Sequence, residues 1–208
     1  MTMPKLEVIA GCMFAGKTRA LVRRVRMLQE EHQLVHVFKP AIDNRFSVSD
    51  IVSHDGTRQR AGIVPTDDEY LTDGPGIVCV DEVQFLSSRT VDRLMTLLRT
   101  GAVSNAILAG LDLTWRGEPF GQMARLLCLA DRITKLQAIC ACCGAPATRT
   151  FLADRSVWEG TVVIGGAEKY EPRCFSCFED GMRGHTTEFV GGILTPPPHI
   201  MGRDQPCQ

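Results

Sequence analysis

The chain has 208 residues, a formal net charge of -1 and a pI near 6.5, and so lacks the basic excess that marks duplex-binding proteins; no nucleic-acid partner is expected. No apolar run approaches the about 20 residues of a membrane span, so no membrane partner is expected either. A hydrophobic share of 44% suits one sizeable core with a smaller appendage, and an N-terminus without basic and apolar leader regions makes a cytoplasmic location the expectation.

Leu6 to Ala10 read as a buried strand, and Arg19 to His32 as a helix with Leu21, Val25 and Leu28 on one face. Between them, Gly11, Cys12, Met13, Phe14, Ala15, Gly16, Lys17 and Thr18 match G-x-x-x-x-G-K-[ST] in the strand–loop–helix setting that a chance match lacks. Such a loop wraps the phosphates of a nucleoside triphosphate in backbone N–H groups. Lys17 reaches the outer phosphates, Thr18 offers its hydroxyl to Mg²⁺, and the helix N-terminus adds its dipole. The run Arg23, Arg24, Arg26 reads as a solvated helix face. Leu34 to Phe38 form a second strand ended by Lys39-Pro40. Ala41 to Asp73 are polar and carry no sustained periodicity, the mark of a functional or partly disordered segment.

Ile77 to Val80 make a continuous apolar run suited to a strand buried on both faces, and it ends in Asp81-Glu82. An acid at the end of such a strand is the expected magnesium partner of a phosphate loop. Glu82 is the natural group to take a proton from a phosphoryl acceptor. The competing reading is an acid pair that favours a helix N-terminus. Ser87 and Ser88 offer N-caps to a helix with Val91, Leu94, Met95 and Leu98 on its buried side, closed by Gly101. Ala106 to Gly110 follow as a strand, Gly121 to Asp131 as a helix through Met123, Leu126, Leu127 and Ala130, and Arg132 to Ile139 as the last strand. Strands alternating with helices imply an α/β fold, a parallel sheet with helices on both faces.

The composition shifts at Cys140. Of nine cysteines, Cys140, Cys142, Cys143, Cys174 and Cys177 crowd into this region, while Cys79 and Cys128 read as core packing. Cys140-x-x-Cys143 and Cys174-x-x-Cys177 read as a structural four-thiolate zinc site, with Cys142 spare. The thirty residues between the pairs exceed the spacing of compact zinc ribbons, so the metal would pin the base of a long loop. A redox thiol pair is the alternative. The loop carries Gly165-Gly166 and Tyr170 and reads as either a lid or a surface loop. Residues 179–208, with Pro196-Pro197-Pro198 and several glycines, read as a mostly disordered tail.

Taken together, Gly11 to Thr18, Lys39-Pro-Ala-Ile-Asp-Asn-Arg-Phe-Ser47, Ser53-His-Asp-Gly56, Asp81-Glu-Val-Gln-Phe85, Ala109-Gly-Leu-Asp112, Pro119-Phe-Gly121 and Ile164-Gly-Gly-Ala-Glu-Lys-Tyr-Glu-Pro172 resemble the type II thymidine kinases, in order, from about residue 6 to 178. The resemblance implies a RecA-like P-loop core over 1–138 and a zinc-anchored lasso over 139–178 that covers the nucleoside. It implies transfer of the γ-phosphoryl group of ATP, with Mg²⁺, to the 5′-hydroxyl of thymidine, in a homotetramer. By position it gives Lys17, Thr18, Asp43, Arg45 and Asp81 to ATP and its metal, and Glu82 to the base. It surrounds the thymine methyl with Met13, Leu111, Thr150 and Tyr170, and the ring with Phe85, Trp115 and Phe120. Thr161, Val163 and Gly165 would offer backbone hydrogen bonds to the pyrimidine edge.

The chain departs from the family pattern in three places. Leu113-Thr114-Trp115 stands where Gly-Thr-Phe is common, Thr150-Phe151-Leu152 lacks a basic residue two places after the threonine, and the lasso differs slightly in length. These touch pocket shape rather than phosphate chemistry. Two rival readings are a recombinase-like ATPase, which needs a DNA-binding surface, and a nucleic-acid zinc ribbon, which needs basic and aromatic residues among its cysteines.

Overall fold

The computed structural model describes residues 5–41, 50–52, 58–64, 71–72, 74–153, 169–183, 189–190 and 193–194. In chain order the core comprises β1 (Leu6–Gly11), α1 (Lys17–Glu30), β2 (Val35–Pro40), β3 (Asp50–Val52), β4 (Arg58–Arg60), β5 (Gly62–Val64), β6 (Ile77–Val80), α2 (Ser88–Thr100), β7 (Asn105–Gly110), α3 (Met123–Leu129) and β8 (Arg132–Leu136). A smaller lobe follows with β9 (Ala138–Ile139), β10 (Pro146–Ala147), β11 (Arg149–Leu152), β12 (Tyr170–Arg173) and α4 (Phe175–Arg183), then β13 (Phe189–Val190) and β14 (Ile193–Leu194).

Six strands form one sheet in the order β5-β2-β6-β7-β1-β8, every pair parallel. The apolar runs of β1, β6 and β7 occupy its middle, where both faces are covered. Side chains alternate along β1 as the pleat requires. Leu6, Val8 and Ala10 join the layer formed with Val91, Leu94 and Leu98 of α2 and Met123 and Leu126 of α3. Ile9 joins Leu21, Val22, Val25 and Leu28 of α1 on the other face. The expected α/β fold with helices on both faces is therefore observed.

The register sets the site. Val8 and Val80 both pair with Leu108, so Asp81 and Glu82 emerge beside the C-terminal end of β7 at the level where β1 turns into the phosphate loop. That shared carboxyl edge is where open α/β sheets bind ligands.

Several local details differ from the sequence-based expectation. The polar segment after Ala41 contributes the hairpin of β3 with β4 and the edge strand β5, each only three residues and too short for a periodic signal. Strand β2 runs on through Lys39 and Pro40. Pro40 lies past the last β6 partner, Phe38 opposite Val80, so its missing N–H breaks no ladder bond there. The strand expected over 132–139 breaks at Gln137, and β9 pairs with β10 instead. Cys128 is exposed rather than core, unlike Cys79. Arg24 is half-buried, its guanidinium 3.5 Å from the Glu7 carboxylate. Helix α4 runs through Arg183, past the expected start of the tail at 179.

Candidate active site

The phosphate loop is held open by its backbone. Gly16 sits at φ 82 before α1, and no side chain caps that helix, so its first N–H groups face the loop. Gly11 has φ 152, and a Cβ there would lie 2.6 Å from the Leu136 carbonyl oxygen of β8, which only glycine avoids. Lys17 folds back over the loop, and its Nζ donates to the Cys12 carbonyl at 2.8 Å. Burial pushes the Lys17 pKa down, while the charges of Glu82 and Asp81 oppose that shift. The ammonium is a desolvated cation that shares the phosphate-loop edge with the charges of Asp81 and Glu82.

Asp81 is buried, and its carboxyl is pushed up to about 7 by that burial and by the neighbouring Glu82 charge; a hydrogen bond from Thr18 pulls the other way. A divalent cation would relieve both the burial and the repulsion, and the Thr18 hydroxyl beside Asp81 completes a hard-oxygen donor pair. Glu82 adopts φ 52, ψ 39, a left-handed conformation that costs a residue with a Cβ about 1–2 kcal/mol. Strain of this kind concentrates at functional sites. Its carboxylate accepts a hydrogen bond from Gln84 Nε2.

Beside this charged edge lies an apolar cluster of Met13, Trp115, Leu152 and Tyr170, with Phe14, Leu111 and Met182 packed against it. It joins the phosphate loop, the segment after β7 and the smaller lobe. Thr150 secures the junction, its Oγ1 accepting from the Met13 N–H at 3.0 Å. The Cys12 thiol, whose pKa burial pushes up, donates to the Ala147 carbonyl at 3.4 Å. Phe85 and Phe120 meet edge to face with centroids 5.3 Å apart. The Trp115 ring carries the Arg116 guanidinium 4.2 Å from its centroid.

In the smaller lobe the sulfurs of Cys140, Cys143, Cys174 and Cys177 all lie within 4.8 Å of one another, and those of Cys143 and Cys174 are 3.6 Å apart. Gly144 at φ 73 lets the first knuckle turn, its N–H donating to the Cys140 carbonyl at 3.0 Å. The second knuckle opens α4, where the Cys177 N–H points to Cys174 Sγ at 3.5 Å. Burial opposes a thiolate at Cys140, yet the backbone N–H groups of Cys174, Cys143 and Cys142 outweigh it and bring the pKa down to about 6. The four sulfurs could hold a structural zinc in tetrahedral geometry. Cys142 stands outside the group.

A model of the family described as thymidine kinase matches residues 4–178. The chain belongs to the thymidine kinase family. Membership makes the protein an enzyme and implies thymidine and ATP as its substrates. Of the residues that the family resemblance singled out, the structure gathers Gly11 to Thr18, Asp81 and Glu82 at the carboxyl edge of the sheet. Met13, Leu111, Trp115 and Tyr170 meet in the apolar cluster, with Thr150 hydrogen-bonded to Met13. Asp43, Arg45, Thr161, Val163 and Gly165 lie outside the described residues. Among the described residues no helix is long and apolar enough to cross a membrane.

Two residues at the site carried no assigned role in the sequence. Asp112 is buried just past β7 with Lys135 Nζ 2.8 Å from its Oδ2, a pairing across 23 residues that no local pattern shows. Gln84 bridges Glu82 and the Leu111 backbone. Its position inside Asp-Glu-Val-Gln-Phe was a signal, but a motif does not say what a glutamine touches.

Proposed function

We propose that the enzyme transfers the γ-phosphoryl group of ATP to the 5′-hydroxyl of thymidine. The observation that carries this reading is the meeting of two unlike surfaces: the cradle of Lys17, Thr18, Asp81 and Glu82, and the apolar cluster of Met13, Leu111, Trp115 and Tyr170 that starts at the same loop. The loop N–H groups and Lys17 hold the phosphates, with Asp43 and Arg45 as further contacts by family position. Thr18 and Asp81 would hold magnesium, which when bound neutralises phosphate charge. Glu82 accepts the 5′-hydroxyl proton as that oxygen attacks the γ-phosphorus, and ADP departs. Met13, Leu111 and Tyr170, with Thr150 fixing Met13, receive the thymine methyl. Trp115, Phe85 and Phe120 flank the ring, and the backbone of Thr161, Val163 and Gly165 reads its edge. A zinc on Cys140, Cys143, Cys174 and Cys177 would hold the lobe that presents them. By family resemblance the working form is a cytoplasmic homotetramer.

A nucleoside panel with ATP and Mg²⁺, read by ADP release, tests this. One methyl in an apolar pocket is worth roughly 10–200-fold, so thymidine should exceed deoxyuridine by a factor in that range while deoxyguanosine gives almost nothing. Leu111→Ala should shrink the thymidine advantage and leave the dependence on Mg²⁺ intact. Purine nucleosides phosphorylated as well as thymidine would overturn the acceptor assignment.

A further inference from the structure

Gln84 lies in the 3-10 turn Val83–Phe85 that follows Glu82, and is only 3% exposed. A buried primary amide must satisfy both of its ends. Here Nε2 donates to the Glu82 carboxylate, and Oε1 accepts the Leu111 backbone N–H at 3.0 Å. The two partners fix the amide's orientation. Flipped, it would set N–H against N–H at Leu111 and oxygen against carboxylate at Glu82. Neither a carboxylate nor an apolar isostere can make both bonds.

The surroundings are shaped to this side chain. A Cβ on Gly110 would lie 2.6 Å from Gln84 Oε1 and 2.9 Å from Val83 Cγ1, and a Cβ on Gly121 would lie 2.2 Å from the Gln84 carbonyl oxygen. Gly110 thus leaves room for the glutamine side chain, while Gly121 leaves room for the backbone that carries it. The far end of the side chain is tied to the backbone N–H of Leu111, whose own side chain packs against the apolar cluster.

We infer that Gln84 is a positioning residue: it fixes the Glu82 carboxylate against the backbone of the nucleoside pocket, so that proton acceptor and bound nucleoside share one frame. This role rests on Glu82 being the base proposed above. Misplacing a reacting group by about 1 Å can cost on the order of 100-fold in rate.

The test is a double-mutant cycle with the full chain, ATP, Mg²⁺ and thymidine. Gln84→Met, similar in length but unable to make either bond, should lower kcat by about 10- to 100-fold. Gln84→Glu keeps an acceptor for Leu111 but turns a negative oxygen toward Glu82. It should lose kcat comparably while KM for thymidine stays within about threefold, because the pocket backbone remains tied. In a Glu82→Gln background, Gln84→Met should lower kcat no further, since there is no base left to position. An equal loss in both backgrounds, or a Gln84→Glu enzyme whose whole defect is in KM, overturns the positioning role and leaves Glu82 as the base. A Glu82→Gln enzyme that keeps more than about half of wild-type kcat overturns the base assignment, and the role of Gln84 with it. Should Gln84→Met fail to fold, as judged by its thermal transition, Gln84→Glu alone and in the Glu82→Gln background decides by the same two criteria.

Discussion

Replacing Asp81 by asparagine should make the free enzyme more stable while abolishing its activity. The carboxyl is raised from an ordinary value of 3.8 to about 7, chiefly because ionisation happens in a buried place beside Glu82. A folded-state pKa above the unfolded one means that the folded chain binds the proton more tightly. The penalty is therefore absent below about pH 4, grows as pH rises toward 7, and is complete above it. The shift corresponds to about 4 kcal/mol at pH 8. Water entering a nucleotide-free site relaxes part of it, leaving on the order of 2–4 kcal/mol. Asparagine removes the charge and keeps an oxygen for the Thr18 hydroxyl. For a chain of this size the gain amounts to roughly 5 to 15 °C in Tm. Thermal unfolding of both proteins without nucleotide or Mg²⁺ at pH 5 and pH 8 is the assay, with the advantage at pH 5 less than about half of that at pH 8. An Asp81→Asn protein that melts below the wild type at pH 8, or whose advantage does not change with pH, refutes the reasoning.

Two further outcomes follow from the geometry. Cys174→Ser removes one of four clustered sulfurs and should release about one zinc per chain, by metal analysis, while the six-stranded core still unfolds cooperatively; full zinc in the variant, or none in the wild type, contradicts the site. Gly121→Ala places a Cβ at φ 51 and 2.2 Å from the Gln84 carbonyl oxygen, and should lower stability by about 2–4 kcal/mol, read from the denaturation midpoint.

What could be read from the chain was what is encoded locally. The phosphate loop, the acid pair after an apolar strand and the Ser87-to-Gly101 helix each carry their signal within a dozen or so residues. The structure places Ser87 as the N-cap, accepting from the Thr90 N–H, and Gly101 in the left-handed closing position. Edge strand β5 was not legible, because Gly62, Ile63 and Val64 gain strand character only from pairing with Phe38, Lys39 and Pro40. The clamp between Met13 and Thr150 spans 137 residues, and Thr150 stood out in the sequence only through family position. Gln84 escaped for the same reason, since its partner Leu111 is 27 residues away and neither residue is unusual alone.

The strand order has a consequence for how the protein is made. Strand β1 is synthesised first, yet its two neighbours are β7, where Leu6 pairs with Ala106, and β8, where Glu7 pairs with Arg132. Until β7 has left the ribosome, the nucleotide-binding strand lacks both neighbours. The apolar face of α1 at Leu21, Val22, Val25 and Leu28 can by then meet Val37, Ile77 and Cys79 of β2 and β6, but not Ile107 and Ala109, which complete its cluster. Strands β2 and β6 can pair earlier, with Val35 opposite Ile77. Non-local parallel pairing of this kind is slow and leaves sticky intermediates. Chains interrupted before residue 105 should therefore emerge without a phosphate site and depend on chaperones, whereas release after residue 136 allows the nascent sheet to close around β1.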